Sequence, residues 1–177
     1  MSTTETLKRF EEIQTHYVNE LNQFSMEQLT RQPGPDEWSL GQPYVHLVNS
    51  ALYLHLGNAD KCVTHSADAV FETGEKTNKG KWAFAEGSFP PVRIQVPPSP
   101  QYTPQQPASK EQLIQGLNAV LRRMAEVEPT LKDSDPRYTM NHPGFGALNA
   151  LEWFTIVEMH YRHHLQQKER LKQFLAG

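Results

Sequence analysis

The chain has 177 residues, of which 37% are hydrophobic and 21% charged, and its net charge is −3. This size and composition exclude a disordered chain and predict one globular domain over residues 1–177. The acidic balance, with no basic stripe along the sequence, argues against a nucleic-acid partner. No segment approaches the roughly 20 apolar residues of a membrane span, so we expect no membrane association.

The compartment is suggested by cysteine usage and by the N-terminal sequence. Cys62 is the single cysteine, so no disulfide can form within the chain. The first residues, MSTTETLKRFEEIQ, lack the apolar segment of a signal peptide. We therefore expect a cytoplasmic protein, with Cys62 as a small packed residue because no basic partner is adjacent to it.

The first predicted helix runs from about Thr4 to Phe24, opened by Thr3 or Thr4 as the cap. Its apolar residues recur every three or four positions, which is typical of an amphipathic helix: Leu7, Phe10, Ile13, Tyr17, Leu21 and Phe24. A turn over Ser25–Thr30 and the segment QPGPD separate it from the second helix.

The second helix is predicted to begin at Ser39, where Ser39 and Gln42 have the spacing of a capping box. Pro43 falls in the first turn, where a missing N–H costs little. The helix continues through His46 to near Asp60 or slightly beyond.

Residues 67–108 differ from the rest of the chain and are called the excursion below. Seven prolines and three glycines exclude a continuous helix, yet the segment contains many apolar residues. We predict an ordered segment that wraps the bundle, with Val92–Val96 extended. Trp82, Phe84 and Phe89 should be mostly buried, and part of the excursion should border the functional pocket.

Two further helices follow the excursion. Ser109 and Gln112 open the third, which Pro129 ends. A loop rich in Asp, Pro and Gly leads to the last helix, which begins with an Asn149/Glu152 capping box and runs to about Leu175. Four capped, amphipathic helices predict an all-α four-helix bundle with a long Pro-rich excursion between helices 2 and 3.

The last helix carries two histidines four residues apart, His160 and His164. One helical turn separates them, so both imidazoles lie on the face that also carries Trp153, Val157 and Leu171. Two histidines on the buried side of a bundle suggest a metal site. A pair of hydrogen-bonded core histidines is the alternative.

A third imidazole would complete a catalytic zinc-type site, which uses three protein ligands and a water. His46, well inside the second helix, is the best candidate; the alternative is a partly buried histidine bonded to a backbone carbonyl. His55 lies about 13 Å further along an α-helix, so we interpret it as a surface residue or part of a second site. The other histidines are interpreted as a flank residue (His163), a turn residue (His142) and two solvated side chains (His16, His65).

Other well-known sites do not fit. Di-iron bundles need paired E-x-x-H motifs, and zinc proteases of the zincin type need H-E-x-x-H, whereas Tyr161 follows His160. The sequence has neither G-x-S-x-G nor a Walker-type glycine loop.

Several segments together resemble the DinB/YfiT-like superfamily of metal-binding four-helix bundles. They are the second helix with Trp38-Ser39-Leu40 at its start and His46 within it, HPGFGALNALEW, and HYRHHLQQ. The resemblance spans nearly the whole chain. It implies that one histidine of the second helix and two of the last bind a divalent metal, which gives His46, His160 and His164. Gln167 matches a polar position near that site.

The resemblance also implies function, since the superfamily includes thiol S-transferases and a thiol-dependent isomerase that use low-molecular-weight thiols. We expect an open three-histidine site binding a divalent metal, zinc or nickel before iron. The expected activity is that of a metal-dependent transferase or hydrolase acting on a small molecule, with a low-molecular-weight thiol as the expected partner. The alternative is a non-catalytic metal- or ligand-binding bundle.

A homodimer is expected as well, because such bundles often pair. Four aromatic residues on the first and last helices lie at the edges of the apolar stripes: Tyr17, Phe154, Tyr161 and Phe174. Aromatic groups exposed in this way commonly mark a contact surface. The alternative is that the excursion covers them within one chain.

Overall fold

The computed structural model describes residues 1–92 and 99–177. Its α-helices are α1 (Thr3–Leu21), α2 (Met26–Thr30), α3 (Gly41–Asn49), α4 (Leu56–Val63), α5 (Asn78–Glu86), α6 (Lys110–Val127), α7 (Ala150–His163) and α8 (Leu165–Ala176). A π-helical turn (Ser50–His55) joins α3 to α4, and a 3₁₀ helix (Glu128–Asp133) follows α6. The strands are β1 (Val70–Phe71), β2 (Tyr138–His142) and β3 (Gly146–Leu148).

The predicted four-helix bundle is confirmed. Its four units are α1, the continuous α3–α4 helix, α6 and the α7–α8 pair. Helix α7 packs against α1 and α4, and α6 packs against α1, α3 and α4. The buried apolar side chains of these units form one core. Within the described residues, no helix is long and apolar enough to cross a membrane.

The helix starts follow the capping signals, with two shifts. Ser109 and the Asn149/Glu152 box cap α6 and α7 as predicted. Ser2, not Thr3 or Thr4, caps α1, because its hydroxyl accepts the backbone N–H of Glu5. Helix α3 begins at Gly41, two residues after Ser39, whose hydroxyl donates instead to Gln106 of the excursion at 2.8 Å.

The excursion is tied to the rest of the chain by helix α5. The backbone N–H of Thr77 donates to the Phe145 carbonyl, and the Thr77 hydroxyl donates to the Gly144 carbonyl, both at 2.9 Å. A Cβ on Gly80 would stand 2.2 Å from the Phe145 carbonyl oxygen, so only glycine allows this approach. Helix α5 is therefore held against the turn between β2 and β3.

The prediction that three aromatic residues of the excursion are mostly buried was partly wrong. Phe84 and Phe89 are partly buried and pack on the core. Trp82 is 43% exposed, because Gly80 and Ala83 form the packed face of α5. Val92 is exposed, and the rest of the predicted extended segment, 93–96, lies outside the described residues.

The predicted loop before the last helix contains a β-hairpin. Strands β2 and β3 pair antiparallel, with Met140 opposite Leu148, and β1 of the excursion adds a third strand beside β2. The residues of β3 are buried against α7. Gly146, with φ 79°, occupies the left-handed conformation that starts β3.

The sequence argument for exposed aromatic residues on the first and last helices was wrong for three of four positions. Tyr17, Phe154 and Tyr161 are fully buried within the chain, and only Phe174 is partly exposed. The Tyr17 hydroxyl donates to the Tyr161 carbonyl at 2.7 Å, so these side chains hold α1 to α7. The homodimer stays a prediction that light scattering can test.

Candidate metal centre

Three histidines meet between the α3–α4 helix and the α7–α8 pair. Nε2 of His160 lies 3.1 Å from Nε2 of His46 and 3.1 Å from Nε2 of His164. His160 lies within α7, and His164 lies at the junction of α7 and α8, where the predicted single helix is interrupted. The three residues singled out from the sequence are therefore brought together by two separate parts of the chain.

The geometry fits a single metal ion. Nitrogens bound at about 2.1 Å with tetrahedral angles would stand about 3.4 Å apart, close to the observed separations. Among the described residues, the ligand atoms of His46, His160 and His164 form the one group of three or more within 4.8 Å of one another. Residues 93–98 contain no His, Cys, Asp or Glu that could add a fourth such ligand.

Burial keeps the three rings neutral, as metal ligation requires. It lowers the pKa of His46 to about 4. Burial, with a contribution from the neighbouring His46, lowers the pKa of His164 to about 3. The pKa of His160, the most buried of the three, is lowered well below its ordinary value. At neutral pH the three imidazoles are therefore uncharged, and each has one ring nitrogen with a lone pair that a metal can bind.

Gln167 orients one of these rings. Its side-chain oxygen lies 2.6 Å from Nδ1 of His164 and accepts the proton of that nitrogen. The Nε2 of His164 is then left with its lone pair directed at the other two histidines. This arrangement is the usual one around metal-bound histidines, where a polar neighbour fixes the tautomer.

Two aromatic rings cover the histidine cluster. The Trp38 ring lies 5.4 Å from that of His46, and Phe89 of the excursion stacks on His160 at 5.5 Å with 22° between the planes. Part of the excursion therefore borders the site, as predicted. Such cover limits water access on two sides and strengthens the electrostatic interactions of a bound ion.

His55, interpreted from the sequence as a surface residue or part of a second site, is not a surface residue. Its exposed fraction is 3%, and its ring lies 5.3 Å from that of His160. In an α-helix, nine residues at about 100° each would place it opposite His46. The π turn adds about one residue, since Leu56 N–H donates to the Ala51 carbonyl, and returns His55 to roughly 80° from His46. His55 is not part of the three-histidine group.

His142 and His163 border the cluster without joining it. His142, interpreted from the sequence as a turn residue, ends β2, and its ring stacks on Phe145 at 4.6 Å. His163, on the flank of α7 as expected, packs against Phe89. Sequence reasoning missed the approach of His55 and His142 because it depends on the π turn and the hairpin, neither of which has a local signal in the sequence.

Cys62 is packed as predicted. It is fully buried, and its thiol lies against the Leu148 carbonyl with 3.8 Å between sulfur and oxygen. Burial raises the pKa of the thiol to about 11, so the reactive thiolate is scarce at neutral pH.

Comparison with known proteins gives a family match and a relative. Residues 9–167 match the DinB superfamily. The chain is also similar to the uncharacterized protein YuaE of Bacillus subtilis (strain 168), with 23% identity over 168 residues. That alignment covers 93% of this chain and 95% of YuaE.

Proposed function

The chain belongs to the DinB superfamily, and on this premise we propose that it is a metal-dependent enzyme acting on a small molecule. The proposed site is a divalent metal held by His46, His160 and His164. The proposed reaction is transfer of a low-molecular-weight thiol to an electrophile, with hydrolysis as the variant in which water replaces the thiol. Zinc and nickel are the favoured metals, ahead of iron.

One observation carries this proposal: Nε2 of His160 lies 3.1 Å from Nε2 of both His46 and His164, and the ligand atoms of all three lie within 4.8 Å of one another. Neutral ligands leave the full charge of a divalent ion uncancelled. Such an ion supplies Lewis acidity, which lowers the pKa of a water or thiol in its open position and so provides a nucleophile near pH 7. Imidazole ligands suit zinc, nickel and iron alike.

The protein's own side chains would prepare that position. Gln167 holds the proton of His164 on Nδ1, so Nε2 stays an acceptor. Trp38 and Phe89 limit water on two sides of the cluster. His46, His160 and His164 would supply three protein ligands, the number typical of catalytic rather than structural zinc sites.

The test begins with elemental analysis of protein purified without a metal-binding tag. We expect close to one equivalent of a divalent metal in the wild type and almost none in His164→Ala, whose helical circular dichroism should persist. His16→Ala is the matched control, because that side chain is 53% exposed on α1. It should retain the wild-type metal content.

A thiol-transfer screen with the native metal loaded then separates enzyme from binding protein. Turnover that His164→Ala abolishes and His16→Ala preserves would support the transferase. Metal binding without turnover, together with a metal that exchanges no water, would favour a non-catalytic metal-binding bundle instead. Equal metal content in wild type and His164→Ala would contradict the site itself.

A further inference from the structure

A cavity of about 150 Å³ lies beside the histidine cluster, between α5, the hairpin turn and α7. Its principal lining residues are Lys79, Phe89, Pro90, His142, Phe145 and His163. A cavity of this volume lined by apolar groups can hold a molecule the size of benzene. Here the apolar wall is formed by Phe89 and Phe145, whose ring centroids are 5.0 Å apart.

The cavity adjoins the proposed metal position. Phe89 stacks on the ring of His160. It also packs against His163, with 5.3 Å between the ring centroids. The His163 ring in turn lies 5.5 Å from that of His164. Only the Phe89 ring would therefore separate a molecule in the cavity from His160, and only the His163 ring would separate it from His164.

The charge around the cavity is positive. Lys79 has no carboxylate within 4.0 Å among the described residues, whereas the nearby Lys76 is paired with Glu152 at 2.6 Å. Residues 93–98 contain no acid that could neutralise Lys79, and none of the described lining residues is acidic. Lys79 and His142 line the same cavity, so the ammonium charge and the imidazole can act on one bound molecule.

His142 also supplies a hydrogen-bond donor. Its Nδ1 accepts the backbone N–H of Gly144 at 3.0 Å and that of Phe145 at 3.1 Å. The proton of the neutral ring therefore resides on Nε2. That N–H has no partner among the hydrogen bonds of residues 1–92 and 99–177, so it can donate to a bound molecule.

We propose that this cavity binds the anionic part of the substrate, a carboxylate attached to an apolar group about the size of a benzene ring. Lys79 supplies the positive charge, His142 Nε2–H a hydrogen bond, and Phe89 with Phe145 the apolar wall. As an assignment of substrate class, the inference depends on the proposed function, but the binding itself does not require a metal.

Benzoate and benzamide are suitable probes because they differ mainly in charge. Titration calorimetry should use the full chain both as purified and after chelation, since a carboxylate could otherwise bind the metal directly. We expect benzoate to bind about fivefold more tightly than benzamide in both states. Equal binding of the two, or no binding of benzoate after chelation, would overturn the proposal.

Substitutions at Lys79 locate the effect. Lys79→Gln should weaken benzoate about three- to fivefold and leave benzamide unchanged. Lys79→Glu should weaken benzoate further and improve binding of benzylamine. Lys81→Gln is the matched control, since Lys81 is exposed on the same helix and does not line the cavity; an effect as large as that of Lys79→Gln would contradict the site. Benzoate binding by a wild-type protein that contains no metal as purified and takes up none when zinc or nickel is added would refute the proposed function alone.

Discussion

Two buried polar clusters lie on the last helical pair, one turn apart, and they differ in whether the chain supplies groups of opposite charge. Lys168 forms an ion pair with Glu20 of α1, and its ammonium lies 4.2 Å from the centre of the Tyr17 ring. Lys172 adds a second contact to Glu20 at 2.7 Å. Opposite charges within the chain therefore close this ion cluster.

The histidine cluster lacks such closure. Three Nε2 atoms face one another without an anion, and Nδ1 of His160 and of His55 have no hydrogen-bond partner among the described residues. Buried polar groups left in this state destabilise a fold unless a ligand satisfies them. The comparison teaches that a buried polar cluster does not by itself mark a functional site; opposite charges compensate one another in the ion cluster, whereas the histidine cluster consists of three like, neutral rings.

The largest expected difference between the clusters is in acid. Burial lowers the pKa of six neighbouring histidines below the 6.5 of an unfolded chain: His46, His55, His142, His160, His163 and His164. Below pH 6.5 the unfolded chain then binds more protons than the folded one. The metal-free protein should lose up to about 1.4 kcal/mol per histidine for each pH unit as pH falls from 6.5 towards 4.

Urea unfolding of metal-free protein at pH 7, 6 and 5 measures this loss. The contribution of the ion cluster to the free energy of unfolding should change in a lower pH range. Desolvation alone would raise the pKa of Glu20, but the hydrogen bonds from Lys168 and Lys172 outweigh it and lower that pKa. Its contribution should be complete above pH 4.5 and be lost below that value. For the histidine cluster, a free energy of unfolding of the metal-free protein that stays constant between pH 7 and 5 would contradict the assignment of buried, neutral histidines.

Opening the ion cluster from one side should have the next largest effect. Glu20→Ala leaves Lys168, which is 1% exposed, without its carboxylate, and we expect a loss of about 3–5 kcal/mol in the free energy of unfolding. The double variant Glu20→Leu/Lys168→Met removes both charges and should lose much less. Chemical denaturation at pH 7 distinguishes the two; equal losses would mean that packing, not the unpaired charge, determines the cost.

Gln167 links the two clusters, since it precedes Lys168 and contacts His164. Gln167→Leu removes the acceptor that holds the proton on Nδ1, so metal affinity should fall about 10- to 100-fold. Competition with a chromogenic chelator measures this change. Gln166→Leu, at the neighbouring exposed position, should bind metal as the wild type does. A similar loss in both variants would point to a general disturbance of α8.

The smallest effect is expected at Lys172, whose side chain is 24% exposed. Lys172→Ala should lower the free energy of unfolding by less than about 1 kcal/mol, because Lys168 still pairs with Glu20. Thermal unfolding in low and high salt measures it. A loss as large as that of Glu20→Ala would show that the two lysines contribute equally to closing the cluster.

Much of the helical framework could be predicted because its signals are local. The Ser109 cap and the Asn149/Glu152 box form as read, since a cap depends only on residues within one turn. Trp82 was placed wrongly because an aromatic residue in an irregular segment has no periodicity to reveal its packed face. The hairpin of β2 and β3 was missed for a related reason: its pairing joins short segments whose composition is that of a loop.

The sequence alone determined the helical bundle and the pairing of His160 with His164, because a four-residue spacing on a helix places two side chains on one face. The tertiary structure decided which other rings approach them. The α3–α4 helix had to pack against α7 before His46 reached His160, and the π turn had to rotate His55 inward. Phe89 covers the site only because α5 docks on the hairpin turn. Contacts of this kind join residues far apart in the chain, so packing of the whole core selects them.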